Sequence, residues 1–190
     1  METTKYKKVK EANGLKVGDL APDFSAIDLH DNVFSLNDAL IKGPVVLIFY
    51  RGQWCPFCNK HLKKLGKNLD KIYEKGASVV AISPEKSEFL KRTADKTKAS
   101  FSLLFDEDYK IAEAFDVVFR PTKLERVIYN KILKADLKNA HSDESQQLPI
   151  PATFIIGKDG KITWRHFDPD YKKRSTVEDI LENLSSKKSK

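Results

Sequence analysis

The sequence predicts an α/β domain: a central mixed β-sheet flanked by helices. Short apolar runs rich in β-branched residues, Val45–Tyr50, Ala77–Ser83 and Ala152–Ile156, carry no polar alternation and read as strands buried on both faces. Between the first two, apolar residues recur three and four apart, as on one face of a helix. The order that results is β-α-β-α-β-α, an insertion, then β-β-α, which is a sheet covered by helices. A chain of 190 residues suits one such domain with decoration.

The elements follow in chain order. Val17–Phe24 is extended, with Pro22 opposing helix. Phe24, Ala26 and the stretch Asn32–Leu36 form a hairpin around His30-Asp31-Asn32. Val45–Tyr50 is the central strand. The spacing of Cys58, Leu62, Leu65, Leu69 and Ile72 predicts one helix from Pro56, ended by Gly76. A second strand, Ala77–Ser83, leads to a helix with Phe89, Leu90 and Thr93 on one side. Ser102–Phe105 is a third strand and Tyr109–Phe115 a short helix.

Residues 116–147 read as an insertion, with a helix through Leu124, Val127, Ile128, Lys131 and Ile132 and a polar loop from Asn139 to Gln147. Its role is open between a lid and a dimer contact. Ala152–Ile156 and Ile162–Phe167 pair antiparallel across Lys158-Asp159-Gly160-Lys161. A last helix starts near Ser175, with Ser175 and Glu178 as a capping box and Val177, Ile180, Leu181 and Leu184 on its apolar face. The domain is expected to span residues 17–186, with 1–16 and 187–190 as flexible termini.

Composition narrows the function. With 41% hydrophobic and 32% charged residues, the chain reads as soluble and globular. Val45–Tyr50 is far too short to span a bilayer, and Met1–Lys10 has no apolar core behind it, so a cytoplasmic protein with no membrane partner is expected. The formal charge of +7 comes from lysines at the ends (Lys5, Lys7, Lys8, Lys10, Lys187, Lys188, Lys190) and from lysines alternating with acids. No Arg-rich stripe with aromatics is present, so nucleic acid is not an expected partner.

The chain's two cysteines lie together in Trp54-Cys55-Pro56-Phe57-Cys58, directly after the central strand. In a chain of this kind such a pair is catalytic or metal-binding rather than a structural staple. Cys55 stands where a strand meets a helix, and the free amides of the first helical turn favour a thiolate there. Pro56 suits the first helical position. Cys58 begins the apolar face. Cys55 is therefore expected as the exposed nucleophile and Cys58 as the buried resolving thiol. A zinc site from Cys55, Cys58 and His61 is the alternative, but no second CxxC exists and His30, His141 and His166 are scattered. Haem attachment is excluded because residue 59 is Asn.

Further stretches carry a resemblance. Ile150-Pro151, before Ala152–Ile156, is similar to the cis-proline that faces the CxxC of thioredoxin-like proteins; a plain strand-start proline is the other reading. Gly18-Asp19-Leu20-Ala21-Pro22-Asp23-Phe24, Phe49–Cys58 (FYRGQWCPFC), Leu148–Phe154 and Phe167-Asp168-Pro169-Asp170-Tyr171 together resemble the peroxiredoxin-like AhpC/TSA group of the thioredoxin-fold superfamily. They are most similar to its FYRGxWCPFC subgroup. The resemblance covers nearly the whole chain. It implies a thioredoxin-like fold with an N-terminal hairpin and an insertion before the cis-proline strand.

The chain also departs from the family. Peroxiredoxins carry P-x-x-x-T-x-x-C and an arginine before the Ala-Thr-Phe strand. Here position 52 is Gly, position 48 is Ile, and Pro151 takes the arginine's place. Arg51 is the substitute cation for the thiolate, or else one half of a surface salt bridge. Trp54 flanks a substrate groove or fills the core. The resemblance implies reduction of a peroxide through a Cys55 sulfenic acid resolved by Cys58, or exchange with a protein disulfide. Thioredoxin or glutathione is the expected reductant, no metal or organic cofactor is required, and a homodimer is left open.

Overall fold

The structure, a computed structural model, describes residues 6–185. The readings that concern Lys5 and the termini 1–5 and 187–190 lie outside the described residues. The first two strands form an antiparallel hairpin, β1 (Ser25–Ile27) and β2 (Val33–Ser35). Asp28 shapes its turn by accepting the His30 and Asn32 N–H groups at 2.7 and 2.9 Å. α1 (Leu36–Lys42) follows, capped by Ser35 Oγ on the Asp38 N–H.

β3 (Val45–Phe49) is the middle strand of the main sheet and is buried throughout. α2 (Pro56–Gly66) and α3 (Leu69–Tyr73) stand where the spacing predicts one helix. The break falls at Asn68, whose backbone leaves the helical region (φ −121°, ψ 16°), while the apolar period carries on past it through Leu69 and Ile72. Periodicity tracks a buried face, and a face can continue across a broken axis. β4 (Ser78–Ser83), α4 (Ser87–Thr97), β5 (Ser102–Phe105) and α5 (Lys110–Ala114) come next.

The segment read as an insertion is a packed part of the domain. It holds β6 (Val118–Phe119), α6 (Lys123–Val127), a wide π-type turn over Ile128–Ile132, and α7 (Leu137–Ala140). Its Tyr129, Ala135, Leu137 and Ala140 are buried. β7 (Leu148–Pro149) then pairs back on β6. β8 (Ala152–Ile156) and β9 (Ile162–Phe167) complete the sheet, and α8 (Val177–Ser185) closes the described chain. The capping box of α8 is formed by Thr176 and Asp179, each accepting the other's backbone N–H, and not by Ser175 and Glu178. Ser175 is turned inward, where its hydroxyl pairs with Thr153 Oγ1 at 2.9 Å.

The main sheet runs β5-β4-β3-β8-β9. β3, β4 and β5 are parallel, and β8 and β9 are antiparallel additions. Alternate residues of β3 feed two cores. Val45, Leu47 and Phe49 pack with Leu36, Tyr109, Phe115 and Phe154. Val46, Ile48 and Tyr50 pack on the other face with Leu62, Leu65 and both cysteines. Residues 6–16, read as a terminus outside the domain, dock on it. Ala12 is buried, and Arg165 Nη1 donates to the carbonyls of Asn13, Gly14 and Leu15 at 2.7 to 3.0 Å.

The expected cis-proline is a correction. Ile150–Pro151 is trans, and among the described residues no peptide bond is cis. The chain runs extended through this point, because Leu148 and Pro149 pair with β6, the Ile150 N–H donates to Val117 O at 2.6 Å, and β8 begins at Ala152.

Candidate active site

The site is built where β3 ends. Arg51, Gly52, Gln53 and Trp54 turn the chain into α2, and the Cys55 N–H donates to Gly52 O at 3.2 Å. Cys55 is the N-cap residue of α2 and Pro56 its first helical residue. The turn is pinned from outside. The Gln53 N–H donates to Glu85 Oε2 at 2.8 Å, and Gln53 O accepts from Asn59 Nδ2 and Lys96 Nζ at 2.8 and 3.1 Å.

Glycine at 52 has a steric cause. Its φ of +145° is a conformation side chains rarely adopt, and a Cβ there would collide with the Glu85 carboxyl and fall 2.7 Å from Trp54 Nε1. The space that a residue 52 side chain would fill is thus taken by Glu85. That carboxyl is fully buried, and desolvation, the largest influence on it, lifts its pKa to about 8 against the Gln53 N–H, Lys96 and Arg92, which favour its charge. At neutral pH it is mostly uncharged.

Both thiols are buried, Cys55 at 0% and Cys58 at 1% exposure. This corrects the expectation of an exposed nucleophile: both cysteines belong to the core cluster that Val46, Ile48, Tyr50, Trp54 and Leu62 form on this face of the sheet. Arg51 lies against Cys55. It is 2% exposed, Nη2 lies 3.4 Å from Cys55 Sγ, and Nη1 donates to Tyr129 Oη at 3.2 Å. The guanidinium lies over the rings of Tyr171, Trp54 and Tyr129 at 3.9, 4.8 and 5.1 Å. Among the described residues it makes no ion pair with a carboxylate. The surface salt-bridge reading of Arg51 therefore fails, and its charge is left for the Cys55 sulfur. Trp54, open between groove and core, is a wall of this aromatic box, tilted 33° against Tyr129 with centroids 4.9 Å apart.

The two thiols titrate apart. A hydrogen bond from the Cys58 thiol, aided by the Arg51 charge and opposed by burial, brings Cys55 down to about 5. Burial, with the neighbouring Cys55, drives Cys58 well above the ordinary thiol range. Arg174 Nη2 sits 3.3 Å from Cys58 Sγ but is only partly buried.

Of the remaining expected site residues, Pro151 is buried at the start of β8. Continuing the pairing of Ile48 with Thr153 places it opposite Tyr50, at the sheet end that leads into the site. His61 lies in α2 with Nε2 3.3 Å from Ser175 Oγ, and no cluster of three or more metal-binding side chains occurs among the described residues. Arg120, Arg126 and Arg165 serve other places, over Tyr6, on Pro121 O and on residues 13–15 respectively.

Sequence reasoning missed Tyr129, Tyr171, Arg174 and Glu85. Tyr171 belongs to the Phe167–Tyr171 stretch that carried part of the resemblance, so a signal was present without a role. Glu85 had only the indirect signal of a glycine at 52.

No helix among the described residues is long and apolar enough to cross a membrane. Peroxiredoxin Bcp of Escherichia coli strain K12 is 39% identical over 106 residues, covering 55% of this chain and 67% of its own length. The thiol-disulfide oxidoreductase ResA of Bacillus cereus is 24% identical over 149 residues, 78% of this chain and 68% of the relative. The crystal structure of peroxidoxin BcpB from Mycobacterium tuberculosis superposes with a TM-score of 0.70 at 24% identity, covering 92% of this chain and 99% of that one. It shares the fold. Residues 17–165 match the AhpC/TSA family, so with its CxxC at the end of a central strand this chain belongs to that family.

Proposed function

We propose that the chain is a peroxiredoxin-like thiol peroxidase working through Cys55 and Cys58, within a single domain over 17–186. The observation that carries this is the buried Arg51 guanidinium, 3.4 Å from Cys55 Sγ and without a carboxylate partner among the described residues. Such a cation holds a thiolate ready and is placed to stabilise the negative oxygen that leaves when a peroxide is attacked. The Cys55 sulfur bonds to one peroxide oxygen, the O–O bond breaks, and the departing oxygen takes up a proton. Cys55 is left as sulfenic acid. The Cys58 sulfur then bonds to Cys55, water leaves, and an intramolecular disulfide results. Thioredoxin or glutathione restores both thiols.

A second reading, exchange with protein disulfides, is favoured by Gly52 and Pro151 standing where peroxiredoxins carry Thr and Arg, and by the similarity to ResA. Hydrogen peroxide consumption with dithiothreitol or thioredoxin, set against reduction of insulin disulfides, separates the two. The peroxidase reading expects fast peroxide loss and slow insulin reduction; the reverse order refutes it.

A further inference from the structure

A cavity of about 530 Å³ opens between α2 and the loop that leads into α8. Lys60, Lys64, Lys172 and Arg174 line it, with Glu178 as the one carboxylate among its lining residues. Lys60, Lys64 and Lys172 make no ion pair among the described residues, so their charge is available to a ligand. His61, also in the lining, is kept neutral: burial first, then the Arg174 charge, lowers it to about 4. The pocket is therefore a cationic one with an uncharged wall. Its volume suits a small molecule, within the roughly 300–1,000 Å³ of ligand sites.

Arg174 joins this pocket to the chemistry. Its guanidinium lines the cavity, and Nη2 is 3.3 Å from Cys58 Sγ. Phe57, between the two cysteines in sequence, lines it too. We propose that this pocket binds a small anionic thiol, a glutathione-like peptide, and delivers its sulfur to Cys58 of the oxidised pair. The proposal rests on the reading that Cys55 and Cys58 cycle through a disulfide.

The exchange balances. The incoming thiolate, drawn onto Arg174, bonds to Cys58 Sγ; the Cys55–Cys58 bond breaks, and its electron pair leaves with Cys55 as a thiolate facing Arg51. Attack on Cys58 expels the better leaving group, because the thiol of lower pKa departs faster. A second thiol then attacks the mixed disulfide, the reductant leaves as its own disulfide, and Cys58 takes the proton the second thiol gives up.

The test uses full-length protein oxidised with diamide, so it does not depend on peroxide. Reduction is timed with anionic glutathione, neutral 2-mercaptoethanol and cationic cysteamine, each normalised to its thiolate concentration. The proposal expects glutathione to be fastest. In a Lys60→Glu, Lys64→Glu double variant its rate should fall about tenfold, while the 2-mercaptoethanol rate holds and so reports an intact fold. Rapid quenching with iodoacetamide should place the glutathione adduct on Cys58. An unchanged glutathione rate in the variant, or an adduct on Cys55, overturns the proposal. If diamide-oxidised protein meets these expectations while peroxide fails to oxidise Cys55, the peroxidase reading fails and the pocket stands.

Discussion

The two sides of the first turn of α2 pair the same groups in different surroundings. On one side Arg51 meets Cys55 at 3.4 Å; on the other Arg174 meets Cys58 at 3.3 Å. Each pair is a guanidinium and a thiol at nearly equal distance, yet Cys55 is pulled down and Cys58 pushed up. The thiols themselves make most of the difference: Cys58 donates a hydrogen bond that lowers Cys55, while burial and the neighbouring Cys55 raise Cys58. Arg51 is buried under three aromatic rings, so its field is undiluted, whereas Arg174 shares its charge with the open pocket. Cys55 also caps the helix, where free amides face it, while Cys58 lies inside the first turn. A cation near a thiol is not enough; the sulfur's own burial and its neighbouring thiol set the direction of the shift.

The largest expected effect removes one side of the comparison. Cys55→Ser should lower peroxide turnover by at least about a thousandfold, whereas Cys58→Ser should still consume one equivalent of peroxide and stop as a sulfenic acid, detectable by dimedone labelling and mass. Next, Arg51→Gln should raise the Cys55 titration midpoint by about two units, and the second-order rate with hydrogen peroxide at pH 6 should fall about tenfold as the thiolate fraction drops.

A third prediction concerns Glu85, whose uncharged state leaves the Cys55 thiolate unopposed. Its folded pKa, about 8, lies above the ordinary 4.5, so the folded state holds a proton that the unfolded chain releases. The stability this contributes is complete below pH 4.5 and is lost as pH rises through about 8. Glu85→Gln keeps an acceptor for the Gln53 N–H and removes this loss. The urea midpoints of variant and parent should agree near pH 4 and diverge by pH 8, with the variant more stable by about 2 kcal/mol or more. The smallest effect is expected on the solvated side: Arg174→Gln should leave the Cys55 midpoint within about half a unit, because a partly solvated charge is screened.

Much of the fold was legible because it rests on local patterns. The buried strands β3, β4 and β8, the Asp159-Gly160 turn and the helix at Pro56 are each written in a few adjacent residues. The two thiols and Arg51 were legible for the same reason, lying within eight positions of one another. The rest of the site was not, because it is assembled across the chain. Tyr129 reaches Arg51 from 78 residues away, on a π-type turn that a helical pattern does not orient, and Arg174 reaches Cys58 from 116. The burial of Cys55 was missed because a helix N-terminus signals charge but says nothing of what covers it. The cis-proline expectation came from resemblance and not from any local pattern, and the Ile150–Pro151 bond is trans.

The pH dependence of alkylation bears most directly on the central claim, that Cys55 is the nucleophile and Cys58 its resolver. Reduced protein is pulsed with iodoacetamide from pH 4 to 10, and the label on each cysteine is counted by mass. Cys55 should react with a midpoint near 5, and Cys58 should stay unlabelled until strongly alkaline pH. A common midpoint near 9 for both, or earlier labelling of Cys58, would contradict the assignment of their roles.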